Sequence, residues 1–85
     1  MDIGMAIYKM IQGCRVARRG WNGKGMFCYY VHAASYPVMM DAVKGVFVGD
    51  KVPYGAYIAM MTAAGNVVPW LASQTDLLAE DWEVV

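Results

Sequence analysis

Charged residues are scarce in this 85-residue chain, where they make up 16% of the sequence. A soluble protein has about 25%. Seven basic residues balance seven acidic ones, so the net charge at pH 7 is zero with the histidine neutral. Proteins that bind duplex nucleic acid or an anionic membrane through their charge carry a strong positive excess. The composition therefore argues against nucleic acid and membrane partners.

Residues that commonly carry catalysis or bind metal ions are also few. The single histidine, His32, accompanies no nucleophile motif, and the two cysteines, Cys14 and Cys28, lack the CxxC spacing of a metal or redox site. Acidic residues between positions 76 and 83 are typical of helix caps and solvated surfaces. We therefore expect no enzyme activity, no metal ion, no cofactor, reduced and buried thiols, and a structural His32.

No membrane span or secretory signal is predicted, although the chain is rich in apolar residues. Residues 52–75 contain no charge, but prolines, glycines and hydrogen-bonding side chains interrupt the apolar run. No basic segment precedes an apolar one near Met1 and Asp2. We therefore expect a cytoplasmic protein.

The apolar content of so short a chain predicts association with another subunit. The length is about half that of a usual domain, so residues 1–85 are assigned to a single domain. Apolar residues make up 59% of the sequence, against about 45–50% on average. Seven basic and seven acidic residues cover such a surface poorly. A homo-oligomer, at least a dimer, is expected.

Three helical segments are predicted. The first begins at Asp2 and ends before Gly13, because apolar residues recur between them at helical spacing. Its apolar face comprises Ile3, Ala6, Ile7, Met10 and Ile11. A short helix over residues 38–44 is expected after a Ser-Tyr-Pro sequence. Ser73 or Thr75 can cap a third, short helical turn.

The remaining pattern predicts hairpins, and thus an α+β fold: a small antiparallel sheet with an N-terminal helix and short additional helices. Strands over residues 14–19 and 26–32 flank a glycine-rich turn, and strands over 57–62 and 67–70 form a second hairpin. Residues 82–85 form a short closing strand.

The glycine-rich turn brings together the parts of a nucleotide site. Trp21 offers a ring for stacking, Asn22 offers an amide, and Gly23 leaves backbone N–H groups exposed. The cations beside them, suited to a phosphate, are Arg18, Arg19 and Lys24. In the alternative interpretation, Trp21 packs over its own hairpin and the cations are merely solvated.

A second candidate site follows Trp70 at the predicted third helical turn. Four hydrogen-bonding side chains stand at the helix N-terminus, where an anion or a ribose can bind. They are Ser73, Gln74, Thr75 and Asp76. Plain helix capping by Ser73 and Asp76 is the alternative explanation.

Three segments resemble a known family: residues 20–27, 54–60 and, most specifically, 68–82. They are similar to small phage and prophage proteins called the second Thoeris anti-defence family, and the resemblance covers nearly the whole chain. Members of that family bind the cyclic ADP-ribose isomer made by bacterial TIR-domain immune proteins and hold it without cleaving it. Some members also bind cyclic dinucleotides of other defence systems.

The resemblance implies an anti-defence sponge in the host cytoplasm, a homotetramer with ligand pockets between subunits. It implies that Trp21 stacks on a purine, with Asn22 as the adjacent polar residue. Ser73, Gln74, Thr75 and Asp76 would meet ribose hydroxyls or phosphates. Some members have Asn where this chain has Thr75, and residues 33–52 are the most variable, so ligand preference stays open. A structural or protein-binding oligomeric module of a phage is the alternative function.

Overall fold

One helix, a set of hairpins and a second, short helix follow one another along the chain. The structure is a computed structural model that describes residues 1–21 and 25–85. Its elements are α1 (Ile3–Ile11), β1 (Val16–Arg18), β2 (Phe27–Val31), β3 (Ala34–Pro37), β4 (Lys51–Tyr54), β5 (Tyr57–Met61), β6 (Val67–Pro69), α2 (Gln74–Leu78) and β7 (Trp82–Val84). The predicted α+β class is confirmed.

Helix α1 begins and ends close to the predicted residues. The Asp2 carboxylate accepts the Met5 backbone N–H at 2.9 Å, which satisfies a free donor of the first turn. After the helix, Gly13 has a φ of +100°, a conformation that favours glycine. Ile11 is exposed, contrary to the predicted apolar face. It lies roughly 100° around the helix from the buried Met10, at the flank of the buried face.

Five strands form one antiparallel sheet in the order β6-β5-β2-β1-β7. In register, Cys28 of β2 pairs with Val16 of β1 on one side and with Met60 of β5 on the other. Both predicted hairpins, β1–β2 and β5–β6, are therefore confirmed, and the closing strand β7 pairs with β1. Strand β6 lies at the edge, where Pro69 removes no ladder hydrogen bond from the interior.

The core lies between α1 and one face of this sheet. Its fully buried residues are Ala6, Met10, Val16, Cys28 and Trp82. Burial, together with a smaller effect of the nearby Asp76 charge, raises the pKa of the Cys28 thiol to about 12, so this cysteine is a neutral core residue. Cys14 is also a free thiol but is only half-buried, unlike the expectation of two buried thiols.

Of the helix predicted over residues 38–44, the structure contains only one 3-10 turn, Asp41–Val43. Strand β3 pairs with β4 in a separate two-stranded sheet, with Ala34 opposite Tyr54 and Pro37 opposite Lys51. The segment between these strands contains two short 3-10 turns, Asp41–Val43 and Val48–Asp50. Pairing of distant residues thus outweighs the local helix signal, and the left-handed Gly45 and Gly49 interrupt any longer helix.

The chain is more extended than a compact domain of its size. Its radius of gyration is 15.5 Å, compared with about 12 Å expected for 85 residues. Its accessible surface is 6008 Å², whereas about 5,000 Å² is expected for its mass. Several apolar side chains between β3 and β4 are exposed: Met39, Met40, Val46 and Val48. Within the described ranges, no helix has the length and apolar character needed to cross a membrane.

Candidate functional site

Trp21 connects the two regions that the sequence singled out. It follows β1, and its backbone N–H donates to the Arg18 carbonyl at 3.1 Å. The indole Nε1 donates to Asp76 Oδ1 at 3.4 Å, and the ring packs edge-to-face on Trp82 with centroids 5.3 Å apart. The glycine turn and the N-terminus of α2 therefore meet at the half-buried ring of Trp21.

Two of the seven predicted site residues, Asn22 and Gly23, lie outside the described residues, as does Lys24. The turn is described up to Trp21 and again from Gly25, which has a φ of +79°. The predicted roles of Asn22 and Gly23 stay predictions.

The N-terminus of α2 is a complete capping box. Ser73 Oγ accepts the Asp76 backbone N–H at 3.1 Å, and Asp76 Oδ2 accepts the Ser73 backbone N–H at 3.2 Å. The Thr75 hydroxyl is 2.9 Å from the Ser73 hydroxyl. Capping by Ser73 and Asp76 is confirmed, while Gln74 is exposed beside them. Ligand contact by these residues stays a prediction.

Arg18 is the centre of an ion-pair network. Its Nη1 donates to Asp76 Oδ1 and its Nε donates to Asp81 Oδ1, both at 2.9 Å. The side chains of Arg18, Asp76 and Asp81 are 21%, 13% and 28% exposed. Asp81 Oδ2 also accepts the Gly20 backbone N–H at 3.0 Å. The two carboxylates thus accept hydrogen bonds from the guanidinium of Arg18, and Asp81 also accepts one from the backbone at the beginning of the turn.

The network keeps its members charged. Desolvation raises the pKa of Asp76, but hydrogen bonds from Arg18, Ser73 and Trp21 outweigh it and hold the pKa below its ordinary value. The Arg18 hydrogen bond likewise lowers the pKa of Asp81. Hydrogen bonds from Arg18 to Asp81 and Asp76 raise the pKa of the guanidinium. Because two carboxylates neutralise Arg18, it is not a free cation for a phosphate.

A cleft of about 420 Å³ lies beside Trp21. Two of its lining residues, Ala17 and Glu83, are opposite each other on β1 and β7, and the cations Arg15 and Arg19 flank β1. The other lining residues are Arg18, Trp21, Gly25, Met26, Phe27, Met61 and Val85. Its volume lies in the range of small-molecule sites, about 300–1,000 Å³. The cleft combines an indole with exposed positive charge.

The amino-acid sequence matches a known protein family over its whole length. A sequence model described as the Thoeris anti-defense 2-like domain matches residues 1–85. The chain belongs to this family. A relative, Thoeris anti-defense 2 of Bacillus phage SP01, is 36% identical over 85 residues, which are 100% of this chain and 94% of that protein. The resemblance drawn from residues 20–27, 54–60 and 68–82 is confirmed.

In this Thoeris anti-defense 2-like chain, the charged and aromatic residues Arg15, Phe27 and Glu83 line the cleft, although none of them was predicted from the sequence as a site residue. Arg15 lies over the ring of Phe27, with its guanidinium carbon 4.7 Å from the ring centroid. The signal was available, because alternation along β1 puts Arg15, Ala17 and Arg19 on one face of the sheet. The pairing of distant Asp76 and Asp81 with Arg18 had no such local signal.

A second cavity, of about 330 Å³, lies between the β3–β4 hairpin and the end of β2. It is lined mainly by apolar and tyrosine side chains, with no lysine or arginine among its described lining residues. His32, which lines it, is exposed and packs edge-to-face on Tyr30 at 4.8 Å. The described part of the chain contains no group of three residues that could hold a metal ion. Among the described residues, arginine side chains thus line the cleft beside Trp21 and not this second cavity.

Proposed function

We propose that this protein counteracts Thoeris defence by binding and sequestering a cyclic ADP-ribose isomer made by a TIR-domain protein, without cleaving it. The observation that carries the proposal is the cleft beside Trp21, in which an indole lies next to exposed arginines. The family match and the name of the phage relative support the anti-defence role. Cyclic dinucleotides are proposed as a second ligand class.

The ligand has two chemical parts that the cleft can recognise. Its purine would stack on Trp21, and base stacking on an aromatic side chain contributes about 1–3 kcal/mol. Its pyrophosphate would pair with Arg15 and Arg19, because guanidinium groups bind phosphate oxygens through charge-assisted hydrogen bonds. Both arginines are exposed, and neither forms an ion pair with a described residue.

Residues of the turn and of α2 complete the proposed site. Asn22 and Gly23 would offer an amide and backbone N–H groups to the phosphates. Gln74 and Thr75 do not line the cleft, but they are exposed in the first turn of α2, whose Asp76 accepts the Trp21 indole N–H, and they would meet ribose hydroxyls. Ser73 and Asp76 would contribute at the same edge while keeping α2 capped.

A homotetramer with pockets between subunits is the proposed assembly. Its support is the surface of the isolated chain, which exceeds the expectation for its mass by roughly 1,000 Å². One partner in a typical stable interface buries about 800 Å². Exposed apolar side chains such as Met39 and Val48 would be covered by other subunits.

Binding without turnover is proposed because the described lining of the cleft contains a single carboxylate side chain, Glu83, and no histidine, cysteine or second acidic side chain to work with it. Asp76 and Asp81 are engaged by Arg18, and His32 lines the other cavity. Tight binding of the ground state without extra stabilisation of the transition state produces no rate enhancement. Sequestration in the cytoplasm of the infected bacterium needs affinity and abundance only.

A structural or protein-binding module is the second candidate function. The exposed apolar residues between β3 and β4 favour it, since 98% of Val48 and 87% of Met39 are accessible. Such a module would have no use for arginines beside Trp21, whereas both functions are compatible with the exposed hairpin.

The deciding experiment is capture followed by release. Purified protein is mixed with the products of a TIR-domain enzyme, separated from free nucleotide and heated, and the released material is analysed by mass spectrometry. We expect intact cyclic ADP-ribose isomer, depleted from solution in proportion to the protein added, and less capture by the matched Trp21→Ala variant. Linear ADP-ribose would favour an enzyme, and no nucleotide from the wild-type protein would favour the structural module.

A further inference from the structure

Three segments that are distant in sequence converge on the guanidinium of Arg18. Arg18 ends β1, Asp76 lies in the first turn of α2, and Asp81 immediately precedes β7. The Nη1 and Nε atoms of Arg18 donate to the carboxylates of Asp76 and Asp81, respectively, at 2.9 Å each. The two acceptors lie 58 and 63 positions from Arg18 in the sequence. A planar guanidinium with donors in a fixed fork is suited to hold two carboxylates at once.

Each of the two carboxylates has a second bond to the glycine turn. Asp81 holds the beginning of the turn through the Gly20 backbone N–H at 3.0 Å, and Asp76 holds the ring of Trp21 through Nε1 at 3.4 Å. Through these two carboxylates, the side chain of Arg18 is connected both to the backbone of Gly20 and to the indole of Trp21. An isolated surface ion pair has no such second connection.

The glycine at position 20 is matched to this network. A Cβ atom at Gly20 would lie 3.0 Å from Asp81 Oδ2, closer than carbon and oxygen normally approach. A side chain at position 20 would therefore push the Asp81 carboxylate away from the turn by a few tenths of an ångström. This observation is independent of the ion pairs and concerns the same contact.

We propose that Arg18 and Asp81 are positioning residues, which together with Asp76 hold the Gly20 backbone and the indole of Trp21 in the orientation that binds the nucleotide. They act through Gly20 and Trp21, because the Arg18 guanidinium is already engaged by the two carboxylates. The effect on ligand affinity rests on the proposed function, but the effect on the turn does not. Without the network, the Gly20 backbone and the Trp21 indole would have to be ordered when the ligand binds, and that entropy cost would lower the affinity.

The test uses three variants and a matched control. Arg18→Lys keeps the charge but loses the fork, Asp81→Asn removes the carboxylate charge, and Gly20→Ala crowds the contact with Asp81. Asp41→Asn is the control, since Asp41 also pairs with a cation, Lys44, at 3.1 Å, but is exposed and distant from the turn in sequence. Circular dichroism identifies any variant that fails to fold, and the remaining variants then decide.

The first readout is the indole N–H resonances of the ligand-free protein by NMR. Trp21 donates to the Asp76 carboxylate, whereas Trp82 donates to the Asp76 backbone carbonyl at 3.0 Å. We expect the three variants to move the Trp21 resonance and speed its hydrogen exchange more than those of Trp82, while Asp41→Asn moves neither. Equal changes at both indoles would indicate general destabilisation and would overturn the proposal, as would an unmoved Trp21 resonance.

The second readout is the Kd for a purified cyclic ADP-ribose isomer by calorimetry. We expect each folded variant to raise it about ten-fold or more, the size of a lost hydrogen bond to a charged group, and Asp41→Asn to leave it unchanged. A shifted Trp21 resonance with wild-type Kd would overturn the positioning role in binding. If the wild-type protein binds no nucleotide, the proposed function fails, and the indole resonances alone decide whether the network positions the turn.

Discussion

The indole of Trp21 donates a hydrogen bond to the carboxylate of Asp76, 55 positions away in the sequence, over 3.4 Å. This bond joins the two candidate sites, and it also explains why Trp21 is only partly available to a ligand. The ring packs with one contact on Trp82 and remains half-buried at the margin of the cleft. Packing and ligand stacking, which were alternatives for Trp21 in the sequence, are compatible in the structure.

Trp21→Ala should weaken nucleotide binding by about 1–3 kcal/mol while the protein stays folded, because one stacking platform is lost. Calorimetry with a cyclic ADP-ribose isomer measures the change. Tyr8→Ala removes an exposed aromatic residue on α1 and should bind like the wild type. Wild-type affinity in a folded Trp21→Ala protein would exclude the turn as the base platform.

Arg19→Gln should weaken binding by up to about 3 kcal/mol, because the charged guanidinium donor to the pyrophosphate is replaced by a neutral amide. Affinity should also become less sensitive to added salt, since one charge contact with the pyrophosphate is lost. Titrations at low and high ionic strength measure both effects. Lys51→Gln removes an exposed charge from β4 as a control, and an equal loss in that variant would contradict a specific role of Arg19.

Trp82→Ala should lower the free energy of unfolding by about 3–5 kcal/mol, because a large cavity would replace the side chain. Trp82 is 2% exposed and contacts both Trp21 and Trp70 edge-to-face. Val84 lies on the same strand but is exposed, so Val84→Ala should cost less than about 1 kcal/mol. Urea unfolding distinguishes the two, and similar losses would contradict a core role for Trp82.

Stability should fall as the solution is acidified. The folded chain holds Asp76 and Asp81 at lowered pKa values, so at acid pH it binds fewer protons than the unfolded chain. The contribution of Arg18 pairing is complete above about pH 5 and is lost as the pH falls through about 3.9 and below. Urea midpoints between pH 7 and pH 3 measure it. A weaker pH dependence is expected for Asp81→Asn, and an identical one would contradict the assignment.

Light scattering should find a tetramer of about 38 kDa, formed by four copies of the 9.4 kDa chain. The physical reason is the exposed apolar surface, which a second copy can cover. Val48→Asp and Met39→Asp place a charge on the exposed segment and test whether it contributes to assembly. A wild-type monomer at micromolar concentration would exclude both the tetramer and pockets shared between subunits.

Local signals predicted most of the main sheet. Glycine-containing turns between apolar runs identified the β1–β2 and β5–β6 hairpins, and Asp2 and Gly13 bounded α1. The sequence failed at residues 38–44, where a plausible helix signal competes with the pairing of β3 and β4. That pairing joins residues up to 20 positions apart, so no short window contains both partners.

The candidate site, like the fold, was predictable from the sequence only where its residues lie close together in the chain. Residue types alone indicated Trp21 and the segment from Ser73 to Asp76, because stacking rings and capping side chains are recognisable in a short motif. Their meeting was not predictable, since it depends on β7 pairing with β1 and bringing the segment before it to the glycine turn. The contribution of Arg15 to the cleft required only the alternation of one strand.

The sequence by itself therefore determined the family, the hairpins of the main sheet and the two motifs, because each of these depends on residues that are close together in the chain. Only the tertiary structure decided that Arg18 is bound by Asp76 and Asp81, whereas Arg15 and Arg19 line the cleft without an ion pair to a described residue. Alternation along β1 puts Arg18 on one face of the sheet and Arg15 and Arg19 on the other. The packing of α2 and β7 then decides that Asp76 and Asp81 lie on the Arg18 face.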